Sequence, residues 1–313
     1  MADENEAFGE LRALMNARIK EHAWWRDLQA LLDAAIDRDL EVVRDRWAPY
    51  IRGFGEVWSR RFEYRRLTTL EDFERWPVAF SDLRFELYLY DQRVGDDAVE
   101  QILSAPQAER MTELNLGRCR LTWRGYESLA ASTRLTSLRR LTLATNAPGA
   151  RGARALAEME CLSRLERLNV YANDLDDASV AAIVRAVEGA ALRHLELSTN
   201  TVGVEATAAL CEARGLGSLE RLRLDDTSLG DGGALALCGA RGLGSLELLS
   251  VERCGITARG ARALIEGLKL PSLRWLMLER NAIPPEDEGE LSAAANARGF
   301  EAKLRRVEYT DWR

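Results

Sequence analysis

Residues Leu138 to Leu175 read LRRLTLATNAPGARGARALAEMECLSRLERLNVYANDL, and the stretch contains one phrase twice. Leu138, Leu141, Leu143 and Asn146 return 27 residues later as Leu165, Leu168, Val170 and Asn173. Carrying that shift in both directions starts units at residues 84, 111, 138, 165, 192, 219, 246 and 273, with no insertion between any two. An unbroken period of this length is an architecture, because a unit this small cannot bury its own apolar face and must share a core with its neighbours.

Each unit reads L-x-x-L-x-L-x-x-N-x-L and then runs into small residues. Its central pair, Leu87/Leu89 in the first unit through Leu276/Leu278 in the last, alternates with period two and places both side chains on one face of a short strand. The position three after the strand holds Gln92, Cys119, Asn146, Asn173, Asn200, Thr227, Cys254 and Asn281. These side chains can bond backbone groups buried where the strand turns away. A second apolar column, Ile102, Leu129, Leu156, Ile183, Leu210, Leu237, Leu264 and Leu291, marks a helix in every unit. One helical turn upstream stand Ala98, Gly125, Gly152, Ser179, Ala206, Gly233, Gly260 and Asp287, all small but the last, as expected where helix and strand approach closely.

On these residues the chain resembles the leucine-rich repeat family, and its helical half-units resemble the ribonuclease-inhibitor-like class, with a bacterial source expected. The resemblance spans residues 83–291 and implies an α/β leucine-rich repeat solenoid that is curved, with parallel strands on the concave side and helices on the convex side. It also implies use of the curved surface for recognising another protein, with no catalytic residue, cofactor or metal. The units are all shorter than the alternating ones of ribonuclease inhibitor itself.

Composition agrees. At 313 residues and 47% hydrophobic content there is ample chain for one elongated domain with end caps. No apolar run reaches membrane-spanning length, and MADENEAFGELR lacks a secretory pattern, so a cytoplasmic protein is expected. Cys119 and Cys254 fall in the Asn column while Cys211 and Cys238 are again 27 apart, so the five cysteines read as reduced packing residues. The net charge of −7 argues against bulk nucleic-acid binding. With two histidines, no C-x-x-C and no phosphate-cradling glycine loop, nothing in the sequence assembles a metal site or catalytic triad. An enzyme is not expected.

Residues 1–82 have a different texture, with five of the eight tryptophans and apolar residues at helical spacing, and read as an α-helical N-terminal cap. Within them RDRWAPYIRGFGEVWSRRFEYRR, residues 44–66, interleaves seven arginines with aromatics. That gives a competing reading, an RNA or single-stranded nucleic-acid binder. A third makes the chain an effector or regulator whose N-terminal region acts while the repeats select the target. Residues 292–313 read as a C-terminal cap, a last strand or tail laid over the final repeat with Val307, Tyr309 and Trp312 as its cover.

Equal positions of successive units should lie about 4.8 Å apart, as neighbouring strands do. The second-position column, Arg139, Glu166, Arg193, Glu220, Glu247, Arg274, mostly alternates in sign and asks for no ligand. The third, Glu86, Glu113, Arg140, Arg167, His194, Arg221, Leu248, Trp275, stacks four potentially basic groups in a row. Glu196, beside Arg223 in the next outward column, answers part of that charge. Aromatics flank the stripe at Tyr88, Tyr90, Tyr171 and Trp275, residue types enriched at binding hot spots. Arg140, Arg167, His194, Arg221 and Arg223 with these four aromatics form the expected binding face. An acidic edge of Asp225, Glu252 and Glu279 makes the expected partner a protein of acidic or mixed charge, with neither nucleic acid nor membrane.

Overall fold

The computed structural model describes residues 2–16, 30–32, 34–35, 38–39, 42–47, 65–75, 85–187, 191–213 and 215–304. Ten short strands make one parallel sheet in strict chain order. They are β1 Arg65–Leu67, β2 Phe85–Tyr88, β3 Met111–Asn115, β4 Arg140–Thr142, β5 Arg167–Asn169, β6 His194–Glu196, β7 Arg221–Arg223, β8 Leu248–Ser250, β9 Trp275–Met277 and β10 Glu301–Lys303. Among the described residues the helices are α1 Ala2–Asn16, α2 Leu70–Arg75, α3 Gly95–Ser104, α4 Trp123–Ala131, α5 Gly149–Ala157, α6 Asp177–Ala186, α7 Val204–Glu212, α8 Gly230–Leu237, α9 Ala258–Gly267 and α10 Pro285–Ala297. From β2 to β9 each strand is followed by its helix, the repeating α/β solenoid that the period implies.

Sheet register follows the repeat. Leu114 pairs with Leu141, Leu141 with Leu168, Leu168 with Leu195, and so on to Leu276. The leucines at both inward positions of every unit are buried and join the helix column in one continuous core. Two strands lie outside the period: Arg65 of β1 pairs with Phe85, and Glu301 of β10 pairs with Trp275. Both extend the sheet at its ends.

The Asn column forms a hydrogen-bonded spine. Oδ1 of Asn173 accepts from the Asn146 backbone N–H at 2.8 Å, and Oδ1 of Asn200 accepts from those of Asn173 and Leu175 at 3.1 Å. The amide nitrogens donate back to carbonyls at the ends of the strands, Asn200 to Val170 and Leu197 and Asn281 to Val251 and Leu278. At Thr227 and Cys254 a hydroxyl and a thiol supply one donor each, and both reach the Leu224 carbonyl. From Cys119 to Cys254 the spine side chains are buried, so each of their bonds prevents a desolvated orphan.

The residue before each spine position carries a positive φ in all eight units: Asp91, Arg118, Thr145, Ala172, Thr199, Asp226, Arg253 and Arg280 lie between 51° and 63°. In seven of these units, from Asp91 to Arg253, its N–H donates to the next unit's carbonyl, as Thr145 does to Tyr171 at 2.7 Å and Thr199 to Asp225 at 2.7 Å. The left-handed turn therefore swings the chain away from the sheet while that bond is kept, at a steric cost borne without glycine.

The small column serves a different contact from the one expected. A Cβ on Gly125 would meet Asp96 Oδ1 at 2.6 Å, one on Gly152 would meet the Cα of Trp123 at 3.1 Å, and one on Gly260 would meet Asp231 Oδ1 at 2.2 Å. These partners sit in the preceding unit, so for these three glycines the small residue lets one unit stack on the next; it does not bring a helix onto its own strand. The acids found there are joints. Asp96 and Asp231 accept from the backbone and hydroxyl of Thr122 and Thr257, and Asp177 accepts from the backbone N–H groups of Gly203, Glu205 and Ala206.

At the N-terminal end, Phe8 of α1 packs its ring 6.0 Å from that of Trp47, which is buried, and Arg46 lies over Phe8. Of the arginine- and aromatic-rich segment, residues 48–64 lie outside the described residues. So do Val307, Tyr309 and Trp312.

Candidate functional site

Because side chains alternate along a strand, the residues on either side of the buried leucines form an outward face. Its third-position column is a true ladder: Glu86, Glu113, Arg140, Arg167, His194, Arg221, Leu248 and Trp275 pair in sequence across β2 to β9. Arg66 of β1 and Glu301 of β10 continue it at the two ends. The site residues expected from the sequence are thus brought onto one face, in three groups with different electrostatics.

In the first group Arg140 departs from the expectation of an unrelieved basic row. Its Nε donates to Glu113 Oε2 at 2.6 Å, and its Nη2 is bonded to Glu86. Burial opposes its charge, yet the two carboxylates hold its pKa above the ordinary value. Arg140 is consumed within the fold. Beside this triad the rings of Tyr88 and Tyr90 lie 6.2 Å apart, and Tyr90, largely exposed, lies across Gly117, where a Cβ would stand 2.8 Å from its Cδ2.

The central group is Arg167, His194, Arg221 and Tyr171. Partial burial, then the charges of Arg167 and Arg221, push the His194 pKa down to about 4, so at neutral pH the ring carries no charge. The basic row therefore holds three cations where four were possible, one of them, Arg140, met by the carboxylates of Glu86 and Glu113. Glu220 Oε2 stands 3.9 Å from His194 Nε2 but is ion-paired with Arg193. Arg167 is exposed, its ladder neighbours are Arg140 and His194, and among the described residues its side chain has no ion pair or hydrogen bond. Tyr171 stands exposed two columns further along the same unit, 40% accessible.

The third group is a network. Arg223 Nε lies 3.3 Å from Glu196 Oε2, and Arg223 Nη2 lies 2.8 Å from Asp225 Oδ2. Asp225 Oδ1 then accepts from Ser250 Oγ at 2.5 Å and from the Glu252 N–H at 2.9 Å, while Ser198 Oγ accepts from the Asp225 N–H. Burial raises the Glu196 pKa, and burial with Asp225 and Glu279 raises that of Glu252. Arg223 is held in place by its neighbours, though half exposed. Beyond it lies an apolar end, where Leu248 and Met277 are buried in the ladder beside the exposed ring of Trp275.

Reading the columns one charge type at a time missed the supporting residues, Glu86, Glu113, Asp225 and Ser250. The signal for the first two was in the sequence, since Glu113 directly precedes Arg140 in the ladder. The second-position column behaves as a self-paired surface in two places, Arg193 with Glu220 and Arg274 with Glu247 at 4.0 Å. All five cysteines are free thiols. Among the described residues no three His, Cys, Asp or Glu side chains are grouped to hold a metal ion, and no helix is long and apolar enough to cross a membrane.

A family model described as Leucine Rich repeat matches residues 218–238, the end of one unit's lead-in, its strand and its helix. No curated protein matches the sequence. Among solved structures, a chain of the yeast Rad7 and Elc1 complex is similar at 13% identity, covering 92% of this chain and 84% of that one, with a TM-score of 0.43. A Bacteroides fragilis protein is similar at 15% identity over 67% of this chain and 69% of its own, TM-score 0.39. An internalin, InlF, of Listeria monocytogenes is similar at 13% identity over 85% and 95%, TM-score 0.35. At these scores the three neighbours bear on neither partner nor mechanism.

Proposed function

Because the chain is a leucine-rich repeat protein, we propose that it is a recognition module that binds another protein across its strand-lined, concave face. The observation that carries this reading is Arg167. Along one ladder the fold supplies two carboxylates to Arg140, and in the neighbouring columns it supplies two to Arg223, whereas Arg167 has none among the described residues. Its ladder neighbours are an arginine already met by two carboxylates and a neutral imidazole, so the exposed Arg167 guanidinium has no fixed acid beside it in its column. Such an arginine next to an exposed tyrosine has the composition of a binding hot spot, and an acidic or mixed-charge partner supplies the missing carboxylate.

Tyr88 and Tyr90 at one end and Trp275 at the other serve as apolar anchors, with Arg167, Arg221 and the braced Arg223 between them. Arg140 contributes shape and support, and His194 lies at the centre of the face between Arg167 and Arg221. The reading assigns the face no catalytic step, metal or cofactor, and it places the protein in the cytoplasm. The test is cross-linking mass spectrometry on the full chain with a captured partner. Cross-links concentrated on residues next to the strand ladder support the proposal. Cross-links confined to α4 through α9 would refute it.

A further inference from the structure

We propose that His194, flanked by Arg167 and Arg221, is the seat for a single carboxylate side chain of the protein partner. This rests on the strand face being the binding face and goes further, because it names the chemistry of the central contact.

Arg140 takes the carboxylates of Glu86 and Glu113 from the two preceding strands, and Arg223 takes Glu196 from the preceding strand and Asp225 from its own. In each case one guanidinium divides its donors between two carboxylates of residues near it in the sheet, a task that suits the planar, multi-donor Arg better than Lys. Arg167 lies between Arg140 and His194 in the ladder, so no acid of the same column is adjacent. Glu220 shows that a carboxylate oxygen fits near His194 Nε2, but Arg193 draws that group toward the second-position column. Arg167 and Arg221 lie two strands apart, about 10 Å at the backbone, with the imidazole between them. That span suits one carboxylate approached from both sides.

The surrounding charge selects the occupant. Groups acting on His194 are Arg167 on β5, Arg193 beside it in its own segment, and Glu220 and Arg221 on the β7 side, while Glu196 and Arg223 two positions further along are paired with each other. Glu86, Glu113, Asp225, Glu252 and Glu279 lie along the same face, so an extended polyanion meets repulsion at both ends while an isolated carboxylate does not. A carboxylate placed over the ring opposes the two guanidinium charges that, after burial, hold His194 neutral. Binding then takes up a proton on the imidazole, and the complex tightens as the solution becomes mildly acidic.

With only two histidines in the chain, the His194 ring resonance is separable from that of His22 through a His22→Gln variant. The experiment follows it by NMR between pH 3.5 and 8 on the full chain, alone and with a millimolar capped Gly/Ser hexapeptide carrying one glutamate, the same peptide carrying one lysine, or inorganic phosphate. The expected result is a His194 midpoint near 4 alone, raised by about a unit with the glutamate peptide and unmoved by the lysine peptide, with glutamate-peptide binding about twofold tighter at pH 5 than at pH 7.5. Arg167→Ala and Arg221→Ala, each checked for an intact amide spectrum, should abolish the rise. A midpoint that the glutamate peptide leaves unchanged overturns the seat, as does one that phosphate raises and the glutamate peptide does not. Neither outcome touches the cross-linking test of the binding face, which reads a separate observable.

Discussion

Asn173 receives the backbone N–H of Asn146 on its side-chain Oδ1 at 2.8 Å, across one full repeat. That bond recurs between Asn173 and Asn200, so the spine couples units that have no covalent reason to stay in register. Asn200 is its most connected member, serving the N–H groups of Asn173 and Leu175 and the carbonyls of Val170 and Leu197. Asn200→Ala should cost roughly 3–5 kcal/mol, since several buried groups lose their partners at about 1–3 kcal/mol each. Asn200→Thr should recover part of the loss, because the hydroxyl of Thr227 does the same work toward Leu224. Urea unfolding checks both, and amide exchange should quicken first at Asn173 and Leu175.

Thr199 sits at a φ of 57°, and its Oγ1 is buried with no hydrogen-bond partner among the described residues. A β-branched residue in the left-handed region costs about 1–2 kcal/mol, and the orphaned hydroxyl adds to it. Against this, glycine brings about 0.5–1 kcal/mol of extra unfolded-state freedom. Thr199→Gly, which keeps the N–H bond to Asp225, should therefore stabilise the protein by about 1 kcal/mol and raise its thermal midpoint. A lowered midpoint would assign the Thr199 side chain a packing role.

Asp177 joins one unit to the next. Burial works to raise its pKa, but the backbone N–H groups of Ala206, Glu205 and Gly203 outweigh that and hold it below its usual 3.8. A depressed carboxylate contributes stability that is present above the unfolded-state pKa and lost as pH falls through the folded value. Asp177→Asn should thus be less stable than wild type at pH 7, and the difference should close in strongly acidic solution. Unfolding midpoints measured from pH 7 down to pH 2 test this, and a gap that stays constant with pH would contradict it.

The units, their order and their facing were legible in the sequence because the leucine period is unbroken from Leu87 to Leu278 and each column maps onto one sheet position. Three things were not. The left-handed turn falls on Asp, Arg, Thr and Ala, so no glycine or asparagine column advertises it. Strand β1 falls outside the 27-residue step and could not be found from it. The charge state of the face depends on pairing in space. Arg140 reads as basic until Glu86 and Glu113 close on it, and His194 reads as a fourth cation until burial and two guanidiniums deprotonate it.

The central claim is that the strand face, through Arg167, binds a protein partner. Its most direct measurement is calorimetric titration of a captured partner into wild type, Arg167→Glu and Arg154→Glu, the last an exposed arginine of α5 on the helical side. The account predicts that Arg167→Glu weakens binding by about tenfold or more, chiefly through slower association at low salt, while Arg154→Glu stays within about twofold of wild type. Thermal midpoints of all three should nearly coincide. Wild-type affinity in Arg167→Glu would contradict the account and leave the ladder as ordinary solvated surface.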